Sequence, residues 1–314
     1  MTGIAPSVLD PAGPQAAHIS NLWWLMFWVS TAVFVLVLGF LFAAFIRGSG
    51  TRVSVTADRT LTRAVAGAAI GTTLILFGLL AASMWTSRVV ASLGAASAVT
   101  VNVTGHQFWW EIEYEDAVPS RRVTTANEIH IPVGRPVVLK VTSRDVIHSF
   151  WAPNLHGKRD LVPGIMSAIW LQADEPAVYR GQCAEFCGRQ HAHMAFEVVA
   201  EPQAQFEAWL DAQRRPSIEP AGEGEIRGRE AFMRAQCVLC HAIRGTGAGA
   251  LVGPDLTHVG SRGKIASGTL QNTTADLARW LRDPQHVKPG NQMPPSALAD
   301  ADLQAIALYL ESLK

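Results

Sequence analysis

The stretch Gln182–Met194 reads QCAEFCGRQHAHM and places Cys183, Glu185, Cys187, His191 and Met194 within twelve residues. Thiolate, imidazole and thioether are soft to borderline ligands, and a site that mixes all three favours copper over magnesium, calcium or manganese. The steps of four, four and three from Cys183 through Cys187 and His191 to Met194 also describe one face of an amphipathic helix. A helix rising ~1.5 Å per residue would spread these groups over roughly 16 Å, too far for one small metal centre. Gly188 and the β-like run Ala195-Phe196-Glu197-Val198-Val199 predict a loop between strands instead.

Two thiolates in one loop can each bridge two coppers, and a two-metal centre then needs a second histidine. His148, at a strand end in Asp145–Phe150, is the obvious one. Such a site would be rigid, which suits electron transfer because the metal geometry then barely changes between redox states.

A second constellation is Cys237-Val238-Leu239-Cys240-His241, the CxxCH of c-type haem attachment. Two thiols add across the haem vinyl groups and His241 ligates the iron. A zinc site would want a second Cys/His pair nearby, and a thioredoxin-like pair would want a βαβ setting; neither accompanies it. Met293, locked between Gln292 and Pro294, is the natural second axial ligand. Thioether ligation raises the haem potential and favours electron transfer over oxygen chemistry. His258 and His286 are weaker alternatives as axial ligands and read as ordinary surface histidines. All four cysteines fall in these two motifs, so they read as cofactor ligands and not as a disulfide framework.

The elements that must position these groups differ in texture along the 314 residues, enough for two or three units. The formal net charge is zero, so no global attraction to nucleic acid or anionic surfaces is implied. Residues 1–21 carry Asp10 as their only charged side chain and no basic run, which argues against a cleavable signal peptide. Uncharged runs at 22–46 and 64–86 are each long enough to cross a bilayer. The connector 47–63 holds Arg47, Arg52, Arg59 and Arg63 against Asp58, which places it in the cytoplasm and puts the N-terminal tail and everything after Thr86 outside. Trp23, Trp24, Trp28 and Trp85 then form an aromatic belt at the outer interface.

From 98 to 201 the texture is β: Val99–Thr104, Glu128–Ile131, Val137–Val141, Val146–Trp151, Ser167–Leu171 and Ala195–Val199 are short runs separated by turns. They predict an antiparallel sandwich or barrel. Residues 202–225 read as a linker, with Phe206 and Leu210 on a short helix and a flexible Pro216–Glu225. Residues 226–314 read as a small all-α domain. Thr273 caps a helix carrying Leu277, Trp280 and Leu281, and Leu303, Ile306, Ala307 and Leu310 form one apolar stripe on the last helix.

The segments GHQFWWEIEYE, DVIHSFWAPNLHGKRDLVPG and YRGQCAEFCGRQHAHMAFEV resemble subunit II of haem–copper cytochrome c oxidase. With the two spans and the CxxCH domain, the whole chain resembles the bacterial variety in which a cytochrome c is fused to that subunit. The resemblance implies two transmembrane helices, a cupredoxin-like β-sandwich and a c-type cytochrome domain. It implies a dinuclear CuA centre on His148, Cys183, the Glu185 carbonyl, Cys187, His191 and Met194, with the Glu185 side chain turned to a magnesium ion at the subunit I boundary. It further implies one covalent haem c on Cys237 and Cys240, with His241 and Met293 axial. Electrons would pass by way of Phe108, Trp109 and Trp110. His193 sits two residues off the motif position and is not expected to ligate.

The implied setting is the bacterial inner membrane, with the CuA and cytochrome domains on the periplasmic side. Implied partners are oxidase subunit I, where oxygen is reduced with proton translocation, subunit III, membrane lipid, and a donor such as a cytochrome c or a quinol-oxidising complex; no nucleic acid is involved. A CuA-bearing nitric oxide reductase and a copper-delivery membrane protein are the rival readings, and the CxxCH domain argues against the second.

Two departures from the family pattern stand out. Relatives usually carry tryptophan where this chain has Phe108, and tethering the donor would relax that need or move the role to Trp109. Many relatives also carry a glutamate near the inner end of the second span; here no carboxylate follows Asp58 there. Charge adds an expectation about docking. Residues 98–201 hold 9 Lys+Arg and 12 Asp+Glu, a net of −3, while residues 226–314 hold 10 and 7, a net of +3. The acidic run Glu111, Glu113, Glu115 and Asp116 is the expected seat for the basic haem domain.

Overall fold

The computed structural model describes residues 3–48, 57–92 and 99–314. Arg52, Ala98 and the side chain of Asp58 lie outside the described residues. The chain divides into one unit of residues 17–95 and another of residues 1–16 with 96–314.

Two helices make up the first unit, Pro14–Arg47 and Ala57–Ser92. Their most apolar windows reach mean hydropathies of 2.6 and 2.1, and neither window is buried against protein. Phe40, Phe45, Phe77 and Trp85 all lie exposed, as expected of helices whose solvent is lipid. Both helices outrun the uncharged spans 22–46 and 64–86, because helical hydrogen bonding continues past the apolar stretch. The first begins with Pro14, whose missing N–H costs nothing at a helix start. It stops at Gly48, where φ is +65°.

The β region is a sandwich of two sheets. One orders its strands Val123–Ala126, Trp109–Tyr114, Val99–His106, Val137–Ser143 and Ser167–Leu171. The other orders Glu128–Pro132, Ala195–Glu201, Ala177–Cys183, His148–Trp151 and Arg159–Leu161. Alternation does the sorting: Val101 and Val103, Trp110 and Ile112, and Leu139 and Val141 point inward and are fully buried, while their neighbours face out. The sheets are mixed and not purely antiparallel as expected. Val99–His106 pairs in parallel with Val137–Ser143, and Glu128–Pro132 with Ala195–Glu201. The result is a curled, cupredoxin-like sandwich.

The N-terminal tail is part of this sandwich. Gly3–Ile4 adds a parallel pairing to Val178 and Tyr179. Ala12 N–H donates to the Asn154 carbonyl at 2.7 Å, and the buried Gln15 side chain donates to the Trp170 carbonyl. Gly13 runs so close to Gln172 that a Cβ would lie 2.2 Å from its carbonyl oxygen.

The expected linker is more ordered than its composition suggests. Residues Gln203–Gln213 form a helix whose Phe206 enters the sandwich core and whose Trp209 stacks on His130 at 3.9 Å. Pro216–Glu225 is not free either: Ser217 N–H donates to the Arg244 carbonyl at 2.9 Å, and the next helix, Glu223–Arg234, starts inside it. Glu225 reaches back to the Gly222 N–H at 3.2 Å, closing the helix start.

The remaining helices are Thr274–Arg282, a single turn Pro284–Val287, and Asp300–Ser312. Thr273 Oγ1 accepts from Asp276 N–H, as the sequence predicts. Leu303, Ile306, Ala307 and Leu310 are buried in a second core with Phe232, Leu277 and Leu281. Gly228 permits close packing of Glu223–Arg234 on Asp300–Ser312, since a Cβ there would sit 2.0 Å from the Ala305 carbonyl.

Candidate functional site

Cys183 ends its strand, residues 184–190 form a loop, His191–His193 make one 3-10 turn, and Met194 leads into the next strand. The helical spacing of these groups is therefore that of a wrapped loop. Cys183 N–H donates to the Met194 carbonyl at 2.9 Å, closing the loop at its base. Inside it the two sulfurs lie 3.7 Å apart. His148 Nδ1 is 3.8 Å from Cys183 Sγ, and His191 Nδ1 is 3.7 Å from Cys187 Sγ. Met194 Sδ lies 3.8 Å from Cys187 Sγ, and the Glu185 carbonyl oxygen lies 3.1 Å from Cys183 Sγ. The structure thus gathers the six predicted donors, four of them around one pair of thiols. Both cysteines are free and buried.

The donor set fits a pair of soft cations. A hydrogen bond from Cys187 holds the Cys183 thiol far below its ordinary range, aided by His148, and the same bond together with burial pushes Cys187 up. Two thiols this close share one negative charge unless cations lie between them. The histidine tautomer is also set. His148 Nε2 lies 2.8 Å from Asp145 Oδ1, and a carboxylate only accepts, so Nε2 carries the proton and Nδ1 turns its lone pair to Cys183. Asp145 Oδ2 takes the Gln107 N–H at 2.7 Å, and the Gln107 side chain donates to the Cys187 carbonyl at 2.7 Å. Neither Asp145 nor Gln107 was singled out from sequence; a carboxylate three residues before a ligand histidine was the available signal.

The aromatic run divides by alternation. Trp110 is buried beneath the loop, 6.0 Å from the His148 ring, with its Nε1 donating to the Met194 carbonyl. Trp109 points to the other face and stacks on His106 at 4.3 Å. Phe108 is buried, its ring against Gly188 of the loop.

In the helical domain, Cys237 lies in the 3-10 turn Gln236–Leu239 and Cys240 ends it, and both carry free thiols. His241 Nδ1 lies 2.7 Å from the Pro254 carbonyl, so Nδ1 carries the proton and Nε2 is left with a lone pair. Burial lowers the His241 pKa, which favours the neutral ligand form. Gly253 packs on this ring; a Cβ there would sit 2.6 Å from Cε1. Met293 packs on the same core as Cys237 and Val238, and Gln285 holds its carbonyl at 2.9 Å. These residues fit a covalent haem with one imidazole and one thioether ligand. His286 is exposed as expected, but His258 is not a surface residue. It is buried between the Arg215 and Lys314 carbonyls, 3.0 and 3.2 Å from its two nitrogens, because the chain terminus folds over it.

The helical domain does not dock on the acidic run. Glu111 pairs with His106, Glu113 with Asn102, Glu115 with Lys140, and Asp116 with Arg121 and Arg214, all outside residues 226–314. The seat lies instead on Glu128 and Glu197, which the parallel strand register sets side by side. Glu128 accepts the Gly263 N–H at 2.6 Å, and Glu197 accepts Lys264 Nζ at 2.6 Å. Ser267 Oγ and Lys288 Nζ both donate to the Phe108 carbonyl, at 2.7 and 3.0 Å. Burial pushes the Lys288 ammonium down to about 7. Gln190, beside His191, donates to the Pro289 carbonyl at 2.8 Å.

Fold and site together define a membrane-anchored, copper-type cupredoxin domain joined to a cytochrome. Residues 99–201 match the family model for the periplasmic domain of cytochrome c oxidase subunit II, and residues 226–314 match that for cytochrome c. Cytochrome c oxidase subunit 2 of Alkalihalophilus pseudofirmus is 42% identical over 219 residues, 69% of this chain and 62% of that relative. The chain therefore spans somewhat less than two thirds of that relative's length. Heme-copper oxidase subunit 2 of Aeropyrum pernix is 34% identical over 205 residues, 59% of this chain and 87% of the relative. A solved periplasmic domain of subunit II of cytochrome oxidase from Bradyrhizobium japonicum matches at 26% identity and a TM-score of 0.37, covering 39% of this chain and 97% of that one. The chain belongs to the subunit 2 family of haem–copper oxidases. Its subunit II domain implies copper and its cytochrome c domain implies haem.

Proposed function

We propose that this chain is the electron-accepting subunit of a terminal cytochrome c oxidase. It takes electrons at a covalent haem c, passes them to a dinuclear CuA centre, and delivers them to subunit I for proton-coupled reduction of oxygen to water. The observation that carries this reading is the convergence of His148, His191, Met194 and the Glu185 carbonyl on two thiols 3.7 Å apart. When bound, the copper pair and the haem each supply a one-electron couple. Cys183, Cys187, His148, His191, Met194 and the Glu185 carbonyl would hold the copper pair. Asp145 keeps His148 in its metal-binding tautomer, and Trp110 packs beneath the loop against His148 and excludes water. Pro254 holds the His241 Nδ1–H and leaves Nε2 with a free lone pair, so that His241 and Met293 would hold the haem iron.

The Glu185 carboxylate makes no hydrogen bond or ion pair with any described residue, which leaves it available for a magnesium ion at the subunit I boundary. The tail pairs with the sandwich, and two spans separate them, so both lie on one side of the membrane. The arginines flanking the connector support the cytoplasmic side for the connector and the periplasmic side of a bacterial inner membrane for the sandwich and cytochrome. Subunit I, subunit III and a cytochrome c or quinol-oxidising donor are the expected partners.

Purification of the complex with oxygen-uptake assay and electron paramagnetic resonance tests the reading. A mixed-valence dinuclear copper signal with donor-dependent oxygen uptake is the expected result. Mononuclear copper, or uptake that ignores the haem, would refute it.

A further inference from the structure

Between the copper loop and the loop that carries Met293 stands one glutamine. Gln190 is 5% exposed and directly precedes His191. Its Nε2 donates across the domain boundary to the Pro289 carbonyl at 2.8 Å, and its Oε1 faces His193 Nδ1 at 3.0 Å. The orientation of this amide is determined by its partners. A carbonyl can only accept, so Nε2 faces Pro289, and Oε1 is left to accept from the His193 ring. His193, which ligates nothing in the reading above, thereby acquires a task.

On the far side Gln285 performs the matching role. Its Oε1 accepts the Gly290 N–H at 2.9 Å, and its Nε2 donates to the Met293 carbonyl at 2.9 Å and the Asn291 carbonyl at 2.8 Å. Two side-chain amides and the Pro289–Gly290 peptide therefore link the backbone of Met293 to the backbone of His191 through three hydrogen bonds. A second connection exists from Lys288 through the Phe108 carbonyl and Gln107 to the Cys187 carbonyl. It traverses the whole saturated lysine side chain, and electronic coupling decays with every saturated bond.

We propose that Gln190 is the positioning residue that couples the two redox centres, its amide forming the electronic contact between the Met293 loop and His191. The proposal rests on the ligand roles given under Proposed function. The step carried is one electron, from reduced haem to the oxidised copper pair, with no proton moved and no bond made or broken. Hydrogen bonds transmit coupling better than open van der Waals gaps, and this route crosses the saturated bonds of the Gln190 side chain alone, against those of both Lys288 and Gln107 on the other. It also fixes the distance between the loops, so the transfer needs no domain motion.

The test uses the full chain in its oxidase complex, with haem and copper loaded. The haem is photoreduced and copper reduction is followed in wild type, Gln190→Leu, Gln190→Glu and Lys264→Ala. Both Gln190 variants lose the donor to Pro289, and internal transfer is expected to slow by at least roughly tenfold, the scale of perturbations next to metal ligands. The copper resonance signal and both reduction potentials should stay as in wild type. Lys264→Ala loosens the seat elsewhere and should transfer at close to the wild-type rate. In copper-free protein, amide exchange of peptide 285–294 should accelerate in Gln190→Leu. Wild-type rates in the Gln190 variants overturn the proposal, as does an equal slowing in Lys264→Ala, which would make docking and not this bridge responsible. Missing dinuclear copper signal or haem absorption in wild type overturns the functional reading and the coupling role with it; the exchange measurement then still tests the Gln190–Pro289 contact alone.

Discussion

Asp145 grips His148 by its outer nitrogen, 2.8 Å from Oδ1 to Nε2, while the inner nitrogen faces Cys183. The carboxylate thus determines which nitrogen can bind metal. Asp145→Ala removes this hold and frees the Gln107 N–H as well. Copper affinity should fall ~10- to 100-fold, the range for loss of a partner behind a metal-bound histidine. Competition with a chelator of known affinity measures it, and an unchanged affinity would show that packing alone orients the ring.

Gly253 lies against His241, where any Cβ would meet the ring at 2.6 Å. Gly253→Ala should push the imidazole off the Pro254 carbonyl and misplace Nε2. The expected outcome is normal covalent attachment at Cys237 and Cys240 with weakened axial ligation, read in the haem absorption spectrum and a shifted midpoint potential. A wild-type spectrum in this variant would mean that the Pro254 segment yields without disturbing the ring.

Gly181 faces the Phe196 ring, with its virtual Cβ 2.1 Å from Cζ. Phe196 is itself stacked on Phe150 at 4.3 Å and edge-on to Trp110, so the ring has nowhere to go. Overpacking of this kind costs about 1–3 kcal/mol and sometimes more. Gly181→Ala should therefore lower the denaturant midpoint of the sandwich and, through Cys183 two residues further along the same strand, broaden the copper signal. Equal midpoints for variant and wild type would refute the clash.

His130 is buried between Glu201, 2.8 Å from Nδ1, and Glu128, 3.9 Å from Nε2. Burial works against its charged form, but the contacts it makes to the Glu128 and Glu201 carboxylates outweigh that and leave the pKa above the ordinary histidine value. A raised folded-state pKa contributes stability that is fully present below about 6.5, the unfolded value. That contribution is lost as pH rises through the folded value. The stability gap between wild type and His130→Gln should be larger at pH 6 than at pH 9. Denaturant midpoints at the two pH values check this, and a gap that does not narrow would sink it.

Much of the candidate site was legible because its donor side chains are close in sequence or carry a motif. Cys183, Cys187, His191 and Met194 share one loop, and CxxCH is contiguous, so residue type and spacing carry the chemistry without knowledge of the fold. Strand alternation from Val99 to Val141 and the stripe on Asp300–Ser312 were legible for the same reason: burial repeats with the local backbone period. The mixed pairing of the sheets was not, because parallel register joins strands far apart in the chain.

What only the tertiary structure decided is how the two redox domains meet. Net charge pointed to the acidic run at Glu111–Asp116, but those carboxylates are taken by His106, Asn102, Lys140, Arg121 and Arg214. The parallel pairing of Glu128 with Glu197 creates a different acidic seat, and Lys264 and Gly263 fill it. Composition counts charges without knowing which are already neutralised by neighbours across a sheet. By itself the sequence determined which side chains are the candidates to hold copper and haem. The fold determined that Gln190, an unremarkable residue in the linear order, stands where their two loops touch, since only packing of distant strands and helices brings Pro289 within a hydrogen bond of it.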